Sequence, residues 1–247
     1  MNFDMPTQLL FTRFLNHNFA GPVDKLLALF HVTPAYANAP INNAIAMEFL
    51  AFLLLLCYFV AVRMTLNVEK PGGIQHLAEM THDFVVNQTE PIIGHGYEKF
   101  SAYLSVLAIF ILLMNLMGLV PGLESPTGDV TVPLGLALVT FFYYHYQGIK
   151  SNGFGYIKQF VGPLPILYPF MFLIEVISHL ARVLSLTVRL YANMFAGELL
   201  TLVFFSLVPV GIPLIVIGLH LGVAMVQAYV FLLLAATYIG LAVAHEH

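Results

Sequence analysis

Charged residues are scarce in this chain of 247 residues, and cysteine is almost absent. Only 9% of the residues are Asp, Glu, Lys or Arg, whereas 60% are hydrophobic. This balance is far from that of a soluble domain and is typical of membrane proteins. The net charge of -4 is spread along the chain, so nucleic acid is not an expected partner. The single cysteine, Cys57, permits neither an internal disulfide nor a zinc cluster, and we expect no bound metal and no cofactor.

Sequence motifs of several enzyme classes are also missing. There is no G-x-x-x-x-G-K-[ST] loop, so we expect no direct nucleotide binding, and there is no H-E-x-x-H motif of an intramembrane metalloprotease. A haem protein would need axial histidines at mid-bilayer, for which His179 and His220 alone make a poor case. An ion-coupled secondary transporter stays open as the alternative, although the chain has no visible internal repeat.

Long apolar runs predict an all-α integral membrane protein, built as one membrane domain over residues 1–247 with five crossing helices. Three runs, 45–62, 102–120 and 132–146, are near the ~20 residues that cross a hydrocarbon core of ~30 Å. Residues 73–93 mix apolar with charged and imidazole side chains, which predicts an amphipathic helix at the membrane interface. Residues 1–40 are interpreted as an exposed, partly helical segment.

The last two apolar runs are too long to cross the membrane upright. Residues 169–207 contain no internal proline and would form a helix of about 57 Å, and residues 213–244 one of about 48 Å. Because both exceed a ~30 Å core, we expect a strongly tilted antiparallel hairpin within residues 165–245, turning at Pro209–Pro213.

The distribution of basic residues predicts the orientation of the chain. Cytoplasmic loops of membrane proteins carry an excess of Lys and Arg. The connections at 121–131 and 208–212 have no basic residue, whereas the loops on the other side carry five: Arg63, Lys70, Lys99, Lys150 and Lys158. Five crossings then place the N-terminus outside and the C-terminus in the cytoplasm.

Arg189 lies deep inside the apolar run of residues 170–207. A guanidinium stays protonated, and holding one at bilayer depth costs between about 3 and about 17 kcal/mol. On a helical wheel advancing about 100° per residue, the polar residues of this run share one stripe, and Glu198 alone lies about 180° from Arg189. The residues of the stripe are Glu175, His179, Arg182, Arg189 and Asn193. A charge kept there at such a cost indicates a role in moving an ion.

The final helix has a polar face of its own, formed by His220, Gln227 and Tyr238. Folding the hairpin about Pro209 brings Glu198 level with His220 and places Gln227 within one turn of Arg189. A carboxylate, an imidazole and an amide at stepped depths indicate a water-lined path, and they favour protons over sodium. The alternative is a polar cluster that only holds the helices together.

Gly218 and Gly222 form a small-x-x-x-small pair on the same final helix. Such a pair lets a neighbouring backbone come close, so we expect a close helix contact there.

The arginine-centred run LTVRLYANMFAGELL, residues 186–200, resembles the signature of subunit a of F-type ATP synthases. The resemblance extends over most of the chain through MNLMGLVP at 114–121, PTGD at 126–129, IEVISHLAR at 174–182 and AATYIG at 235–240, ahead of the terminal HEH. The combination is highly specific to that family.

This resemblance implies a non-catalytic, proton-conducting stator subunit. In the family, Arg189 would be the essential cation that each carboxylate of a rotating c-ring passes in its deprotonated form, and it would block a proton short-circuit. Two offset half-channels would supply and drain protons. The outer path would involve Asn193, Glu198, His220 and Gln227, with Asp129 near its mouth, and the inner path would involve Glu175 and Ser178.

The same resemblance implies the partners and the location. The expected partners are the c-ring, the peripheral-stalk b subunits and membrane lipid. A bacterial inner membrane fits best, and an organellar membrane fits less well.

Overall fold

The computed structural model describes residues 8–29, 39–67, 72–94, 96–120, 122–153, 155–156, 168–207 and 211–244. These ranges contain seven long α-helices and no strand, so the predicted all-α class is confirmed. The helices are α1 (Leu10–Leu29), α2 (Asn43–Thr65), α3 (Gly73–Ile93), α4 (Glu98–Met117), α5 (Thr131–Asn152), α6 (Tyr168–Leu207) and α7 (Ile212–Val243). A short 3-10 turn, Pro126–Gly128, precedes α5.

Four of these helices, α2, α4, α6 and α7, are long and apolar enough to cross a membrane. The helix α5 has 22 residues and runs beside α6 over the same depth. Gly128, just before α5, lies against Glu198, and further along α5 the hydroxyl of Tyr144 lies 2.8 Å from Nδ1 of His179. The stretch of α6 between these two contacts covers about 28 Å, close to the ~30 Å of a hydrocarbon core.

Two of the helices extend beyond both ends of the apolar runs that predicted them, whereas α4 begins earlier than its run and ends three residues before the end of that run. The first run, 45–62, becomes Asn43–Thr65, and the third, 132–146, continues to Asn152, where Gly153 with φ 54° ends the helix. Hydrophobicity marks the part of a helix that lies in lipid, whereas the hydrogen-bonded helix continues until a residue such as glycine ends it. The interfacial helix α3 has the predicted bounds, Gly73–Ile93.

The N-terminal segment is less exposed than the sequence suggests. One face of α1 is buried at Thr12, Leu15 and Asn16. The Asn16 side chain donates to the Ile41 carbonyl at 3.1 Å and accepts from the Ile41 N–H at 3.0 Å. This pair of hydrogen bonds ties α1 to the chain just before α2.

The amphipathic helix α3 packs across α4 and α7. His82 Nδ1 lies 3.1 Å from the Ser105 hydroxyl of α4, and Tyr229 of α7 donates to Gln88 at 2.8 Å. The exposed surface of α3 carries an apolar stripe, Ile74, Leu77, Met80 and Phe84, beside a polar stripe that includes His76, Glu79 and Asp83. This arrangement is what a helix lying at a membrane surface requires.

The helices α6 and α7 pack against each other as the predicted hairpin. With 40 and 32 residues they are about 60 Å and about 48 Å long, so both exceed a ~30 Å core. The connection at 208–210, including Pro209, lies outside the described residues, and Pro213 is already part of α7. The strong tilt relative to a membrane stays a prediction from helix length.

Among the described residues, no other helix comes close to Gly218 and Gly222. A Cβ added at either glycine would have no neighbouring atom within 4 Å. Both residues lie two positions from His220, and a two-residue step turns a helix by about 200°, so they face away from α6. The close contact is made instead at Gly197 of α6, where an added Cβ would lie 2.7 Å from His220 Cδ2.

Candidate functional site

Arg189 lies at the edge of the packed face of α6. It is half-buried, and its Nη2 donates to the Ser185 hydroxyl one turn earlier, at 3.2 Å. No Asp or Glu among the described residues comes within 4.0 Å of its guanidinium. On the open side of Arg189 the exposed residues of α6 are small: Ala181, Ser185, Ala192 and Ala196. Within the described residues, Arg189 is therefore a cation inside a long apolar helix with no acid beside it.

One turn beyond Arg189, an amide pair joins the two helices of the hairpin. Asn193 Nδ2 donates to Gln227 Oε1 at 2.8 Å, and Gln227 is buried. The sequence placed Gln227 within one turn of Arg189. Its direct partner is Asn193, because Gln227 faces the packed side of α6 and the guanidinium turns towards the open side.

The Glu198 side chain forms its hydrogen bond on a different face of α6 from the one that carries Asn193. Its Oε1 accepts the Ser125 N–H at 3.0 Å, next to the 3-10 turn. Two glycines leave room for the carboxylate, since a Cβ on Gly118 would lie 3.1 Å from Oε1 and one on Gly128 would lie 2.9 Å from Oε2. The prediction that Glu198 points about 180° away from Arg189 agrees with this position.

His220 reaches the same level of α6 as predicted, but it packs on Gly197. Adjacent residues of a helix point about 100° apart, so the face that meets His220 is not the face that carries Glu198. The imidazole is buried, and its Nε2 has no hydrogen-bond partner among the described residues. An unpaired polar atom in such a place is a site for a water molecule or a transferred proton.

A polar cavity opens beside Glu198. Its volume is about 330 Å³, and Asp129 lies in its wall. Asp129 Oδ1 accepts from the Thr131 N–H at 2.9 Å and from the Thr131 hydroxyl at 2.7 Å, and its Oδ2 lies 3.4 Å from Asn42 Nδ2. The full lining is Asn42, Asn43, Ala44, Glu124, Ser125, Gly128, Asp129 and Glu198.

Behind this cavity lies a buried network of polar side chains that was not predicted from the sequence. The Thr127 hydroxyl donates to Asn115 Oδ1 at 2.7 Å, and Asn115 Nδ2 donates to the Ala224 carbonyl of α7 at 3.2 Å. The Ser125 hydroxyl lies 2.7 Å from that of Thr127 and donates to the Met114 carbonyl at 3.1 Å. The sequence signal that could have indicated this network was a single asparagine, Asn115, within the apolar run 102–120.

The N-terminal half of α6 holds a second polar cluster. Glu175 Oε1 lies 3.2 Å from His179 Nε2 and 4.0 Å from Arg182 Nη2. The guanidinium of Arg182 lies over the Tyr238 ring, 5.2 Å from its centroid. Ser178 is half-buried on the same part of α6. The first three residues of the predicted stripe, Glu175, His179 and Arg182, therefore lie together on one face of α6.

Three further residues of this cluster were not predicted: Tyr144, His145 and Tyr156. Tyr144 contacts His179, and His145 Nδ1 lies 2.7 Å from the Tyr156 hydroxyl. Burial raises the pKa of Tyr156 to about 12, so its hydroxyl is neutral at physiological pH. The sequence signal that could have indicated them was YYHY at 143–146, at the end of the third apolar run.

Arg189 lies between the two polar regions along α6. It is nine positions before Glu198 and fourteen after Glu175, or about 14 Å and about 21 Å along the helix axis. Among the described residues, no three His, Cys, Asp or Glu side chains are grouped as a metal site requires. The arrangement suits proton exchange at two separate places with a fixed cation between them.

Sequence comparison places these features in a known family. The model of the ATP synthase A chain family matches residues 45–240. The chain is 53% identical over 244 residues to the ATP synthase subunit a of Koribacter versatilis, covering 98% of this chain and 100% of the relative. It is 42% identical over 233 residues to that of Solibacter usitatus (94% and 99% covered) and 41% identical over 187 residues to that of Aquifex aeolicus (72% and 86% covered). The chain therefore belongs to the ATP synthase A chain family, the subunit a family.

Proposed function

We propose that this chain is the proton-translocating stator subunit of the membrane sector of a bacterial F-type ATP synthase. In this role it does not itself catalyse ATP formation; it conducts protons to and from the carboxylates of a c-ring. Family membership supports the role, and the position of Arg189 carries the mechanism. Among the described residues no acid neutralises this half-exposed guanidinium, so it can pair with an acid supplied by a partner.

The chemistry follows from how surroundings change the ionisation of a carboxyl group. A carboxyl facing lipid is favoured in its neutral form, because burial disfavours the charge. Beside a fixed guanidinium the same group is favoured as an anion. Each ring carboxyl that passes Arg189 therefore gives up its proton, and the fixed positive charge opposes a proton that would cross directly between the two half-channels.

The two polar regions of α6 serve as the half-channels in this proposal. The cavity with Asp129 and Glu198, followed by His220 and the Asn193–Gln227 pair, forms the outer path. Glu175 and Ser178 belong to the inner path.

The membrane potential supplies the driving force in this proposal. Each elementary charge that crosses a potential of 100 mV releases about 2.3 kcal/mol.

The orientation and the remaining partners belong to the same proposal. Arg63, Lys99 and Lys150 are at the helix ends on the Glu175 side, so this side is cytoplasmic and the N-terminus is outside. Lys70, Lys158 and the terminal HEH lie outside the described residues. Peripheral-stalk b subunits and lipid cover other exposed apolar faces.

The alternative, an ion-coupled secondary transporter, is not favoured. Such transporters place substrates at helices that are broken near mid-membrane. Here α6 continues without a break through Arg189, from Tyr168 to Leu207.

Cross-linking tests whether the c-ring faces Arg189. Cys57 is exposed, so we would first replace it with Ala and then introduce Ser185→Cys or Ala192→Cys beside Arg189. In the assembled complex, a short bifunctional reagent should link either position to cysteines placed near the ring carboxylates. Leu54→Cys on α2 is the matched control, because Leu54 is exposed on another helix. Links from Leu54→Cys alone would contradict the proposal.

A further inference from the structure

Two basic side chains of α6 hold the inner carboxylate, and each is held in turn by a tyrosine of another helix. Glu175 Oε1 is contacted by His179 Nε2 at 3.2 Å and by Arg182 Nη2 at 4.0 Å. His179 contacts Tyr144 of α5, and Arg182 lies over Tyr238 of α7. The position of one carboxylate thus depends on three helices.

The imidazole of His179 is fixed at both nitrogens. When Nε2 carries the hydrogen that it donates to Glu175, Nδ1 of a neutral ring is an acceptor, and the Tyr144 hydroxyl donates to it at 2.8 Å. Tyr144 is 2% exposed, so its hydroxyl has little access to competing water. The Tyr144 hydroxyl therefore selects both the tautomer and the orientation in which His179 binds Glu175.

Arg182 and the other groups around Glu175 set its electrostatic surroundings. Glu175 contacts His179 and Arg182 of α6, and these belong to a cluster with Tyr144 and His145 of α5, Tyr238 of α7 and Tyr156 of the 155–156 segment. Of these groups only Arg182 carries a permanent charge. The ring centroids of His145 and His179 are 4.8 Å apart, so a charge on one opposes a charge on the other.

A proton acceptor in an ion path works best when its position is fixed. A glutamate side chain has several rotatable bonds, and only a part of its rotamers would face the path. The side chain of Glu175 is 35% exposed and that of His179 is 10% exposed, so the carboxylate reaches the open side while its anchor stays buried.

We propose that Tyr144 is a positioning residue of the inner half-channel, which acts through His179 to hold Glu175 in the rotamer that accepts the released proton. This inference rests on the proposed function, since it refines how the inner path works. Tyr144 itself does not exchange a proton with the ring. The Tyr144 hydroxyl also interacts with Arg182, and a double-mutant cycle with His179 separates the route through the imidazole from a route through the guanidinium.

The test compares ATP-driven proton pumping by the whole complex in inverted membrane vesicles, where the bath sets the pH at the inner face. Tyr144→Phe removes only the hydroxyl and should slow pumping about threefold to tenfold, the effect of one lost buried hydrogen bond. It should also shift the dependence of the rate on bath pH. Tyr103→Phe is the matched control, because the Tyr103 hydroxyl is hydrogen-bonded to Thr140 at 3.1 Å and is not part of the cluster around Glu175.

A double-mutant cycle identifies the route of the effect. His179→Leu with Tyr144→Phe should be no slower than His179→Leu alone, and His179→Gln, whose amide can still donate to Glu175, should be faster than His179→Leu. A wild-type rate and pH profile for Tyr144→Phe would overturn the inference. It would also be overturned if the rate losses of Tyr144→Phe and His179→Leu multiplied in the double variant. Glu175→Gln tests the proposed function separately: a wild-type rate there would remove Glu175 from the path altogether.

Discussion

His220 packs its imidazole against the backbone of Gly197, so closely that a Cβ on Gly197 would lie 2.7 Å from His220 Cδ2 and 2.8 Å from Nε2. Only glycine allows α6 and α7 to meet at this level. The contact also brings a buried imidazole within one residue of Glu198 along α6. This contact therefore fixes the level at which His220 meets α6.

Gly197→Ala should displace His220 and slow proton delivery. Overpacking of this kind costs about 1–3 kcal/mol, so we expect a lower melting temperature of the complex and ATP-driven proton pumping well below that of the wild type. Gly135→Ala is the control, because a Cβ there has no neighbour within 4 Å. Equal pumping rates for Gly197→Ala and Gly135→Ala would show that the His220 contact does not matter for conduction.

The pair Asn193–Gln227 should behave as one unit. Asn193→Leu and Gln227→Leu each leave a polar partner unpaired, which costs about 1–3 kcal/mol. The double variant should pump no more slowly than the slower single variant, because the two amides are joined by a 2.8 Å hydrogen bond. Losses that multiply in the double variant would mean that the two residues act independently.

Glu198→Gln separates the charge of this residue from its hydrogen bond. The glutamine can still accept the Ser125 N–H, so the complex should assemble normally. It cannot exchange a proton, so pumping should slow, and His220→Ala should slow it as well, with partial losses where water bridges the gap. A double variant with an unchanged proton flux would remove both residues from the path.

Thr127→Val should lower stability more than it lowers conduction. It removes the 2.7 Å hydrogen bond to Asn115 and leaves a buried amide oxygen unpaired, at a cost of about 1–3 kcal/mol. Thr65→Val is the control, since the Thr65 hydroxyl is exposed and bonds within its own helix. The measurement is thermal unfolding in detergent; equal midpoints for the two variants would contradict a stabilising role of the network.

The helical period of the sequence predicts the polar stripe of α6 and the level at which His220 meets it, because both depend on spacing along regular helices. It predicts the partners less well. Glu198 turns to Ser125, and Gly218 faces away from α6, since such contacts depend on the direction in which each helix packs. The contact of Tyr144 with His179 joins residues 35 positions apart and needed the structure.

The central claim is that Arg189 is the fixed cation past which protons are transferred. Its most direct test is ATP synthesis by reconstituted vesicles that carry the Arg189→Ala complex and an imposed proton gradient. Arg63→Ala, which removes an exposed arginine at the end of α2, serves as the control. The account predicts no synthesis above background for Arg189→Ala and normal synthesis for Arg63→Ala. Synthesis at the wild-type rate by the Arg189→Ala complex would contradict it.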